Sequence, residues 1–173
     1  MIRDMGNPTV KTWTATIAFS LAGLISVLFY ASVSPVLLPH VIFYAVLVVN
    51  TFFSVRFFSR IAPENKSQFA IDTVLVILYL ALAFSMGYPF TFAFFALCLF
   101  IAASSKYPLL LLVIPQTNVL KRKILIDLMG TAACAAVLGA SVMGYQLEAA
   151  WAAAIGFTLA NVYFLLINPM YRL

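Results

Sequence analysis

The sequence predicts an all-α, polytopic membrane protein of six transmembrane helices, arranged as three hairpins with both termini on the cytoplasmic side. Three observations predict it. First, 65% of the 173 residues are hydrophobic and 9% are charged, against roughly 45–50% and about 25% in a soluble domain. A soluble fold cannot cover that much apolar surface, so the solvent is a bilayer. Second, the apolar residues gather into six runs, each near the ~20 residues an α-helix needs to cross hydrocarbon. Third, all ten Lys and Arg fall at the N-terminus, in two longer connections or at the span ends that flank them, or at the C-terminus. The other three connections carry no basic residue, and the positive-inside rule then places the basic ones in the cytoplasm.

The chain reads as a single transmembrane domain. Its first span covers 12–33 and is broken by Ser34-Pro35. The preceding MIRDMGNPTVK mimics the charged start of a signal peptide. The run behind it is too long for that and lacks a small-residue cleavage site, so a retained span is expected. The second span, 36–58, tolerates Pro39 in its first turn. RIAPENKSQ follows as the most polar loop in the chain. The third span, 69–88, is closed by Gly87-Tyr88-Pro89. The fourth, 90–105, is rich in Phe and ends at Ser104-Ser105-Lys106. Residues 107–123, with Pro108 and Pro115, have too few apolar residues between prolines to span. They are expected as an interfacial linker with Lys121-Arg122-Lys123 among the headgroups, a re-entrant half-helix being the alternative. The fifth and sixth spans cover 124–143 and 149–167.

Two spans echo each other. Ile71-Asp72 and Met86-Gly87-Tyr88 in the third recur as Ile126-Asp127 and Met143-Gly144-Tyr145 in the fifth. Both spans run in one direction, so the echo would be a parallel hairpin repeat. Asn50 and Asn161 recur in the same way in the second and sixth spans. Small residues in the fifth and sixth spans, among them Gly130, Gly139 and Gly156, predict a close-packed helix pair there. The Phe-rich fourth span is expected to face lipid or a partner. Trp13, Tyr107 and Tyr171 on one side and Tyr88, Tyr145 and Trp151 on the other suit aromatic belts.

At 1.5 Å per residue, Asp72 lies about 22 Å below Gly87 and Asp127 about 25 Å below Gly144. Both carboxylates then lie just inside the cytoplasmic boundary, with Asn50 and Asn161 at similar depth. Asp72 and Asp127 can simply satisfy helix starts, where the macrodipole favours an anion. Lys123 is four residues from Asp127 on the same helix face, and Arg56 is a basic neighbour that could serve Asp72 in the same way. The functional reading is a cation- or proton-binding pair that lines a cytoplasmic cavity with Asn50 and Asn161, with Arg56 and Lys123 as accessory charges.

Several chemistries lack their residues. The one histidine, His40, excludes His-rich metal or haem ligation by this chain alone; an interfacial, solvated role is expected for it. Cys98 and Cys134 lie inside apolar runs, which argues against a disulfide framework. No Walker A or dinucleotide fingerprint is present, and Ser141 has no nucleophile elbow. The contexts of an intramembrane aspartyl protease are missing around Asp72 and Asp127. Neither a cofactor nor a catalytic residue is expected, and ordinary loops account for the basic excess without nucleic acid. The expected function is therefore transport: a permease or membrane-embedded transporter subunit for a small solute or ion. It would sit in the cell membrane of a bacterium and act as a homo-oligomer or with other membrane subunits. The alternative is a non-catalytic subunit or scaffold that docks helices of a larger complex, and a lipid-modifying enzyme is a distant third.

Overall fold

The computed structural model describes residues 7–31, 34–61, 66–111 and 117–171. Those residues form six helices and no strand: α1 (Pro8–Tyr30), α2 (Leu37–Ile61), α3 (Lys66–Phe84), α4 (Pro89–Leu111), α5 (Thr117–Val142) and α6 (Gln146–Val162). A π-helical turn, Tyr163–Ile167, continues α6. With that turn counted as part of α6, all six are long and apolar enough to cross a bilayer. The 23 residues of α1 rise about 34 Å at 1.5 Å each, against about 30 Å of hydrocarbon. Large apolar side chains such as Leu28, Phe29, Phe69 and Leu166 are exposed on the outside, as lipid contact allows.

Local chemistry sets the helix ends. The Asn7 side chain accepts from Thr9 N at 3.0 Å and Pro8 follows at the first helical position, the arrangement favoured at an N-terminus. Pro89 opens α4 in the same way. Between α5 and α6, Tyr145 N donates to Ala140 O at 3.0 Å while Gly144 adopts φ +95°. That is a Schellman-type stop, whose left-handed residue favours glycine.

At the end of the bundle that carries the basic residues, α1 to α5 run past the apolar runs, most of all in the segment expected as a linker, whereas α1 and α3 stop short of the expected spans at the other end. Residues 107–111 complete α4, with Pro108 inside the helix, and 117–123 open α5; 112–116 lie outside the described residues. Hydropathy registers only the part of a helix that sits in hydrocarbon. Tyr107, Leu110 and Leu120 are buried with Phe57 and Phe58 in a compact apolar cluster at one end of the bundle. A larger cluster fills the rest, built from Phe19, Tyr44, Leu47, Leu82, Met86, Phe92 and Phe100 among others.

The most extensive helix packing is α4 on α5. A Cβ on Gly130 would lie 2.5 Å from the Phe100 ring, so only glycine permits this approach. Gly139 and Gly156 face open space. The close seam of α5 is thus with α4 rather than with α6. The Phe-rich helix is correspondingly two-faced: Phe92 and Phe100 are buried, Phe90 and Phe94 exposed. His40 is not solvated either. It is 4% exposed, its Nδ1–H donates to Met86 O at 2.8 Å, and its ring stacks on Phe92 at 4.0 Å.

Candidate functional site

The end of the bundle that holds the Tyr107–Leu120 cluster also holds the polar chemistry. There the start of α1, the C-terminal half of α2, the start of α3, the end of α4 and the start of α5 surround a cavity of about 210 Å³. Its walls come from both apolar clusters, with Phe19, Leu47, Leu99 and Phe100 from the larger and Phe58 and Tyr107 from the smaller. The two cores do not merge, and the space between them is where the charged side chains gather.

Asp127 lies one turn into the apolar part of α5 and is 1% exposed. Its Oδ1 accepts from Lys123 Nζ at 2.7 Å, one helical turn earlier. Oδ2 is buried and has no hydrogen-bond partner. Lys123, itself 5% exposed, lies 5.6 Å from the centre of the Tyr107 ring. The aromatic face, negative in its quadrupole, adds to the attraction of the carboxylate. Across the cavity Lys106, from α4, donates to Asp72, from α3. This pair is wetter, with side chains 16% and 36% exposed. Lys11 and Gln68 also line the cavity, as do Thr51, Ser54 and Ser59. Thr51 is hydrogen-bonded to the Tyr79 hydroxyl, and Ser59 Oγ is buried with no hydrogen-bond partner.

The residues singled out from sequence divide accordingly. Asn50, Asp72, Asp127 and Lys123 all line the cavity. Asn161 does not: it is buried, and its Nδ2 donates to Phe157 O within α6 at 2.8 Å. Arg56 is exposed and outside the lining; the partner of Asp72 is Lys106. Sequence reasoning assigned Lys106 and Lys11 to loops and flanks as topology signals, and so missed both. The one usable signal for Lys106 was its depth, since it ends the span that follows the one Asp72 begins. Among the described residues no three of His, Cys, Asp or Glu converge as a metal-ligand set.

Fold and site together define a multi-pass helical membrane protein with a charged cavity at one end. No protein-family model matches the chain, and neither does any curated protein or solved structure. The reading of its function therefore rests on the cavity.

Proposed function

We propose that the protein binds a small solute in this cavity and moves it across the membrane, as a permease or as the membrane-embedded subunit of a transporter. The observation that carries the reading is the convergence of Lys11, Asp72, Lys106, Lys123 and Asp127 on one cavity in an otherwise apolar bundle. A charge within a spanning segment costs about 2.5–3.5 kcal/mol even on insertion scales. A buried ion pair is commonly no more stable than apolar residues of the same volume. A bundle that needed only to hold together would be served as well by Leu and Met at these positions. A mostly apolar space with a few convergent polar groups is the usual form of a small-molecule site.

The same reading sets the topology. The ends that surround the cavity carry the basic residues, so the cavity faces the cytoplasm, the helices form three hairpins from that side, and both termini lie inside. The setting is the inner or plasma membrane of a bacterium, and six short-looped spans enclose so little volume that oligomers or further subunits complete the path. The decisive experiment screens purified protein for thermal stabilisation by sugars, amines, carboxylates, amino acids, nucleobases, phosphate and alkali cations. Any solute that stabilises it is then tested for uptake into proteoliposomes. A stabilising solute whose effect is lost in D72N supports the reading; no stabilisation and no uptake by any class overturns it.

A second reading has one observation in its favour. Gly139 and Gly156 meet nothing within 4 Å, which leaves a small-residue face on α5 and α6 of the kind that admits another helix in lipid. The chain would then be a non-catalytic subunit of a larger complex, and purification with a fixed stoichiometric partner but no solute response would favour it.

A further inference from the structure

The Lys123–Asp127 pair narrows the chemistry of the solute, an inference that rests on the solute-binding reading above. Both residues line the cavity and their side chains are 7% and 2% exposed, so a partner that either lacks must come from the cavity itself. Asp127 Oδ1 takes the 2.7 Å bond from Lys123 Nζ, whereas Oδ2 is buried with no hydrogen-bond partner. An ionised carboxylate only accepts, and an ammonium only donates, with three N–H groups. Nζ directs one of them to Oδ1. The Tyr107 ring, 5.6 Å away, attracts the charge without taking a conventional hydrogen bond. The pair therefore presents an unused acceptor beside unused donors. That capacity belongs to the ion pair and is the same whatever other charges stand at this end of the bundle.

One neutral group answers both. A hydroxyl has one donor and two acceptor positions, so a single atom donates to Oδ2 and accepts from Nζ. An ammonium completes Oδ2 but sets a second cation against Nζ, and an ether oxygen accepts from Nζ but leaves Oδ2 bare. Ser59 Oγ, also buried, unpartnered and in the lining, is likewise completed by a neutral polar group. We propose that the cavity binds a small alcohol whose hydroxyl bridges Asp127 Oδ2 and Lys123 Nζ. The body of the solute is apolar, because Phe19, Leu47, Phe58, Leu75, Leu99 and Phe100 belong to the wall. The hydroxyl reproduces the bonds a water would make there, and the apolar body adds a gain from burial that a water cannot. Size agrees. An apolar cavity of about 150 Å³ takes benzene, so the 210 Å³ here suits roughly eight heavy atoms by proportion.

The test compares four probes of equal size on the full-length protein in detergent, by calorimetry and by unfolding midpoint. Benzyl alcohol donates and accepts, its isomer anisole accepts only, protonated benzylamine donates only, and ethylbenzene does neither. Benzyl alcohol is expected to bind at least tenfold more tightly than each of the others, because both its bonds are to charged groups, and to raise the midpoint accordingly. Benzylamine binding as tightly would make this a cation site, anisole would leave Lys123 as the only contact, and ethylbenzene would make the cavity merely apolar. Each result overturns the alcohol while leaving solute binding intact. Silence from all four also overturns it; if other classes in the wider screen still stabilise the protein, only the alcohol falls, and if none does, the solute-binding reading falls too.

The variant K123M/D127L places the hydroxyl. It removes both partners together and strands neither charge, so the advantage of benzyl alcohol over ethylbenzene should vanish, with partition into the micelle common to both proteins. An unchanged advantage in the folded variant would overturn the assignment. Should the variant not fold, the order of the four probes on the wild-type protein decides alone.

Discussion

Removing Lys123 while keeping Asp127 is the sharpest perturbation of this bundle. In K123M the apolar stem is largely preserved, but the carboxylate loses its 2.7 Å bond to Nζ and has neither oxygen partnered, since Oδ2 already lacks a hydrogen-bond partner. The side chains are 7% and 2% exposed, so solvent screens the pair very little. Breaking a buried pair by removing one partner typically costs about 3–5 kcal/mol. For a chain of this size that is a fall in unfolding midpoint of roughly 6–20 °C. The assay is thermal unfolding in detergent for wild type, K123M, D127L and the double variant K123M/D127L. The double variant should recover most of the loss, because no unpaired charge remains and two apolar side chains fill the space. The parallel cycle on Lys106 and Asp72, whose side chains are 16% and 36% exposed, should give a coupling of about 1 kcal/mol or less. If K123M costs less than the Lys106 variant, or if the double variant is no better than the singles, the buried-pair argument is wrong.

Three further outcomes follow from the packing and the topology. G130V places side-chain atoms where a Cβ alone would already lie 2.5 Å from Phe100; it should destabilise by about 1–3 kcal/mol, whereas G139A, facing open space, should be neutral or stabilising by up to about 1 kcal/mol. G144A forces alanine into the φ +95° conformation of the α5–α6 turn and should cost about 1–2 kcal/mol, read from the same melts. A cysteine at Lys121 should react with an impermeant maleimide only after the membrane is opened, while one at the exposed Tyr145 should react from outside. The reverse pattern would invert the topology, and with it the side from which the cavity opens.

What the sequence made legible follows from which interactions are local. The six helices were readable because each is an apolar run, and the Lys123–Asp127 pair because an i, i+4 spacing lies within one helix. The pairing of Asp72 with Lys106 depends on how α3 and α4 register against each other, and no spacing within either helix encodes that. Arg56 was a plausible partner by depth alone, but it is exposed while Phe57 and Phe58 beside it are buried. Depth gives one coordinate of a side chain in a bundle; the facing direction is the other. Asn161 fails for the same reason, its amide turned back onto the Phe157 carbonyl of its own helix. His40 shows a different limit. Near Pro39 at a span's end, its place in the chain suggested water, but the chain folds it against Phe92 and the Met86 carbonyl.

The segment 107–123 explains why a cavity exists at that depth. Read as a surface linker, it would leave Lys121, Arg122 and Lys123 together among the headgroups. Folded as the ends of α4 and α5, it separates them: Lys121 is exposed, Arg122 reaches the Phe164 ring and Asn168, and Lys123 points into the bundle. Tyr107, Leu110 and Leu120 meanwhile build a second apolar cluster beyond the charges. A cation that would have been solvated is thereby enclosed between two cores, and it requires the carboxylate of Asp127. Without the second cluster the four paired charges would be ordinary interfacial residues screened by water and salt. With it they share a confined space in which solvent substitutes poorly for a partner.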